Sequence, residues 1–221
     1  MLKAVEDKRL LLGLDYQIAD LVELRRVCQE GGGLQVRPGT EAARDAMLRA
    51  AAAAAIGSVQ EAAVGGPGPE THLGGIPPTR LVCGLALDLG VPQARAVKVI
   101  TAVVAASARQ LLIDAEAAYR AGAAADVTLC LLRLAATLST FPLDRGSPEA
   151  EMVATSIVKQ TSLEFRKAIF FAFGDISVPL AALVAEVLGF DPELVVPQLL
   201  LHLQGRSAEE GQLGNGGGGQ Q

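Results

Sequence analysis

The chain has 221 residues, half of them hydrophobic, with a net charge of −5 and three cysteines. That length suits one ordinary domain, or a small and a larger one, with a core that needs neither disulfides nor structural metal. The acidity, carried by residues 141–221, excludes bulk phosphate binding, and with no basic face no nucleic-acid partner is expected.

Read from the start, the pattern predicts an all-α protein of about eight helices. Met1–Arg9 mixes charges and lacks an apolar run with a cleavage site, so no signal peptide is expected there. Apolar residues at helical spacing (Leu11, Leu14, Ile18, Leu21, Cys28) predict a helix from about Lys3 to Glu30, ended by Gly31 to Gly33. Thr40 is a plausible N-cap for a second helix running through the alanines 50–55 to Val64. Alanine favours helix but buries little side chain, which predicts packing at close range. Residues 1–64 therefore read as a helical hairpin. Glycine and proline dominate residues 65–78, which read as a linker, with a binding loop as the alternative.

The main bundle is expected over residues 79–205. Thr79 should cap a short helix to about Leu89, and Pro92 should open a long one ending near Gly122. On that helix Arg95, Lys98, Arg109, Glu116 and Arg120 share a wet arc, opposite Val97, Ile100, Val104 and Leu111. Val99, Val103 and Ile113 break the division. A helix follows over about 126–139, closed by Phe141-Pro142. Ser147-Pro148-Glu149 carries the cap, proline and acid of a helix start, predicting a helix from 148 to Phe173 that Gly174 stops. Ser177 and Pro179 begin a short helix ending at Gly189, and Asp191-Pro192 begins the last, kinked or delayed by Pro197. Residues 206–221, rich in glycine, are expected to be a disordered tail. The stretches Leu85–Pro92 and Val184–Pro192 resemble each other, and a short α-solenoid is the alternative architecture.

All six phenylalanines lie in the C-terminal half, four of them within residues 165–173. At several angles around one helix, they predict a helix central in its bundle. The second reading is a partner surface made of Phe165, Arg166, Lys167, Phe170 and Phe173, because aromatics and arginine concentrate at binding hot spots.

Chemistry-bearing motifs are scarce. No phosphate-cradling glycine motif follows a strand, and His72 and His202 lack neighbours at ligand spacing, so no cofactor or metal is expected. Nucleophilic catalysis would need a base that two histidines do not readily supply. Arg109, Asp126, Arg133, Asp175, Pro179 and Glu186 interrupt the most apolar stretches, so no transmembrane segment is expected. Cys28, Cys83 and Cys130 read as buried reduced thiols, which suit a reducing compartment: cytoplasm, or an organelle stroma or matrix. Mean hydropathy is +0.35, which implies either a large core or apolar surface covered by a partner. The expected function is a non-enzymatic scaffold or complex subunit that binds a protein partner or itself. The alternative is a helical carrier of an apolar small molecule such as a lipid or pigment.

Overall fold

In the computed structural model, residues 2–3, 5–7 and 15–213 are described, with side chains as far as Gln204; helices are the regular structure and no strand occurs among them. The chain forms two compact units, one ending at Leu143 and one beginning at Asp144.

The first unit contains α1 (Ile18–Glu30), α2 (Glu41–Ala63), α3 (Pro78–Asp88), α4 (Gln93–Arg120) and α5 (Ala124–Thr140). The helix expected from Lys3 to Glu30 is interrupted: residues 2–3 and 5–7 are helical, residues 15–17 are not, and Leu11 and Leu14 lie outside the described residues. α2 sits at the centre. Thr40 caps it, its hydroxyl accepting from the Ala43 N–H at 3.1 Å, and Ala46, Met47, Leu48, Ala51, Ala52, Ala55, Ile56 and Val59 are buried. Small side chains let α3, α4 and α5 all pack against this one helix, the close packing that the alanine run predicts.

Polar contacts also tie these helices together. The Gln60 amide donates to Ser107 Oγ at 2.7 Å and Thr137 Oγ1 at 3.0 Å, joining α2 to α4 and α5. Arg25 Nη1 on α1 donates to both carboxylate oxygens of Asp88 at 2.6 Å. Gly84 makes that pairing possible, since a Cβ there would collide with the Arg25 guanidinium.

The division expected at residues 65–78 is not where the chain separates. Thr71–Leu73 form a single 3₁₀ turn, and Leu73 is buried against α1 and α2. The hairpin has no core of its own, because the buried face of α2 is shared with α3, α4 and α5. Pro77 and Pro78, rather than Thr79, open α3.

On α4 the wet and buried arcs are partly exchanged. Val97 is exposed and Glu116 is buried, the latter accepting from Arg120 Nε at 2.9 Å. By length and composition α4 is long and apolar enough to cross a membrane, a possibility that the sequence reading set aside because of Arg109. Here it packs along α2 and α5, burying Ala105, Ala108, Leu112 and Ala115.

The second unit contains α6 (Pro148–Gln160), α7 (Leu163–Ile176), α8 (Val178–Ala185) and α9 (Pro192–Leu213). Ser147 caps α6 as expected, accepting from the Ala150 N–H. The single helix expected over 148–173 is two. Thr161 is extended, and Ser162 Oγ accepts from the Phe165 N–H at 3.1 Å to start a new helix. A short hydroxyl side chain offers the backbone an alternative to the helical ladder, and here that alternative wins. Gly174 does not stop α7: it lies inside it, where a Cβ would strike the Leu199 side chain of α9. α8 closes through a further turn to Gly189, whose φ of 76° suits glycine.

Pro197 lies inside α9. That helix passes Gly205, where a disordered tail was expected, and continues to Leu213; residues 214–221 lie outside the described residues. The fold is therefore all-α, as the sequence predicts.

Because the Ser162 hydroxyl caps the start of α7, Ser162→Ala should lower unfolding stability by about 1 kcal/mol. Chemical denaturation of the full chain measures it, and an unchanged midpoint would deny the cap its role.

Candidate functional site

The five residues proposed from sequence as a partner surface are not together on the surface. Phe165, Phe170 and Phe173 are buried, at 0%, 3% and 1% exposure. They belong with Ile157, Ile169, Val184, Leu188 and Leu199 to the buried set of the second unit. Phe170 meets Phe171 and Phe190 edge to face, with centroids 5.7 Å and 5.8 Å apart. This is the central-helix reading, because rings at several angles can all be covered only from several sides.

Arg166 is also buried. Its Nη1 donates to the Leu188 carbonyl at 3.0 Å, and its guanidinium lies 5.5 Å from the Phe190 centroid. A cation there complements the negative end of α8 and its closing turn. Lys167 alone of the five is exposed.

The remaining titratable groups are dispersed. His72 faces Glu61 at 3.6 Å on an exposed surface, and the His202 ring tilts over Phe171 at 5.0 Å. Among the described residues no group of three or more His, Cys, Asp or Glu side chains converges as a metal site. Cys28 is buried as expected, but Cys83 is exposed and Cys130 half-buried. Burial pushes the Cys28 thiol upward, helped by the Asp88 carboxylate, and burial does the same for Cys130 with help from Asp114. Neither is tuned as a nucleophile.

Open grooves among the described residues include three. One of about 430 Å³ lies between α1 and α3, lined by Arg25, Ile76, Arg80, Cys83 and Leu87 among others. One of about 130 Å³ lies between α2 and α4, beside Glu41, Arg44, Asp45 and Arg95. The third, about 530 Å³, runs along α6 past Glu151, Met152, Thr155 and Lys159. Charged side chains line all three. In the α2–α4 groove Arg95 Nε donates to Asp45 at 2.9 Å, and its guanidinium holds the Asp45 carboxyl below the usual carboxylate range.

What the surface offers instead is uncovered hydrocarbon. Leu87, Ile176, Leu194 and Leu201 are each about two-thirds exposed, and α5 shows Leu129 and Leu132 at 38% and 40%. Leu194 and Leu201 stand two turns apart on α9 with exposed Pro197 on the same side. Sequence reading missed these because periodicity says which residues are apolar, and only packing says which of them stay uncovered. Compared with protein-family models, with curated proteins and with solved structures, the chain gives no match.

Phe165→Ala and Phe173→Ala should each cost about 3–5 kcal/mol, whereas Lys167→Ala should change stability by less than about 0.5 kcal/mol. Denaturant unfolding of the three variants separates a core from a contact surface: equal, small effects would contradict the burial.

Asp45 has a folded pKa below its ordinary 3.8, so the stability it contributes is complete above that value and lost as pH falls through the folded pKa. Asp45→Asn should therefore be less stable than wild type near neutral pH, with the difference closing in acid below 3.8. A difference that stays constant to the lowest pH would rule out the ion pair as its source.

Proposed function

We propose that the chain is a non-enzymatic helical interaction or assembly protein that works as a scaffold or as a subunit of a larger complex. The observation that carries this reading is the outward face of α9, where Leu194 and Leu201 are 65% and 69% exposed two turns apart. Burying a leucine side chain is favourable by about 1.5–3 kcal/mol. Two of them held at helical spacing on one side are a ready contact for an apolar groove or another helix.

Native mass spectrometry of the protein isolated from its own cells tests the reading. The expected result is a mass above that of one chain, reverting toward one chain in the Leu194→Glu/Leu201→Glu variant. A single-chain mass in both would overturn it, with circular dichroism showing that the variant keeps its helices.

A further inference from the structure

The outward face of α5 carries no charge. Leu134, Thr137 and Leu138 are buried on its inner side. At 100° per residue the opposite side presents Ala125, Leu129, Leu132 and Ala136, with Thr128 and Ser139 beside them. The helix holds two charged residues, Asp126 and Arg133. Both stand on the same flank of that apolar stripe, two turns apart. Among the described residues neither side chain enters an ion pair, although both face solvent at least in part.

We propose that this face binds a second copy of the chain, with α5 running antiparallel to its counterpart about a dyad. Such a dyad turns each flank of the stripe toward the same flank of the partner, a self-complementary contact. Asp126 of each copy then meets Arg133 of the other. The midpoint of Asp126 and Arg133 and the midpoint of Leu129 and Leu132 differ by one residue, about 1.5 Å of helix rise. One axis therefore serves both ion pairs and both leucine contacts. A parallel pairing would set the charged flank against the uncharged one, around Thr128, Leu131 and Ala135, and leave all the charges unmatched. The contact is one helix face, smaller than a standard interface, so the dimer is weak and concentration-dependent. It rests on the reading of the chain as an interaction protein, and it names one partner as the chain itself.

Sedimentation velocity over a concentration series tests this on full-length wild type, Asp126→Arg, Arg133→Asp, the double variant and an equimolar mixture of the two singles. Wild type and the double variant should dimerise alike, while each single should bind itself about tenfold more weakly, a loss of about 1.4 kcal/mol. The mixed singles, whose charges complement each other, should recover a dimer of wild-type strength. Leu132→Glu should remain monomeric, with circular dichroism confirming retained helix. A wild type that stays monomeric, a dimer indifferent to both single reversals, or a double variant that fails to recover would each overturn the α5 contact. None of these outcomes decides the α9 experiment, which stands or falls on its own variant.

Discussion

The first unit depends on the narrowness of α2. Five helices cannot share so small a core unless one of them takes up little radius, and the alanines around Ala51 and Ala55 supply that. Alanine costs no side-chain entropy on burial and favours the helix on its own account, so the residue that sets the spacing also stiffens the element. Because α3, α4 and α5 all rest on α2, the Gln60 amide can reach hydroxyls on two of them at once. Close approach comes first and the polar link follows from it.

The second unit is built on the opposite principle. Its helices α6, α7 and α8 are short, and large rings join small side chains in filling the space between them. Where the backbone must come close, glycine gives way: Gly174 receives Leu199, and Gly189 accommodates a Val158 methyl. Among the described residues of this unit Arg166 is the one buried charged side chain, and a carbonyl and an aromatic face receive it. Two packing regimes in one chain explain why its phenylalanines are so unevenly distributed.

Local signals were the legible ones. Thr40 and Ser147 act on N–H groups three residues away, and the glycines at 122 and 189 adopt the positive φ that ends helices; these can be read without knowing the fold. The break at Thr161–Ser162 was hidden because apolar spacing continues across it. Gly174 was misread because a glycine that ends a helix and one that admits a neighbour look the same in sequence. Glu116 sits on the buried side, where Arg120, one turn on, donates to it, and Arg166 is buried where the Leu188 carbonyl, 22 residues away, accepts from it. Residues 65–78 have a linker's composition, yet buried Leu73 and Pro78 bind them to the unit. The exposed leucines of α5 and α9 belong to the same class. Exposure is decided by which helices come to rest nearby, and no pattern along one helix encodes that.

Pro197 adds a polar detail to the oily side of α9. Lacking an N–H, it leaves the Glu193 carbonyl without its usual donor one turn back. Pro197 itself lies on the exposed side of the rod, between the two leucines. A surface seated there would gain from matching hydrocarbon with hydrocarbon, and a donor group brought to the vacated carbonyl would add a polar contact. Grease supplies the adhesion; the missing hydrogen leaves an acceptor.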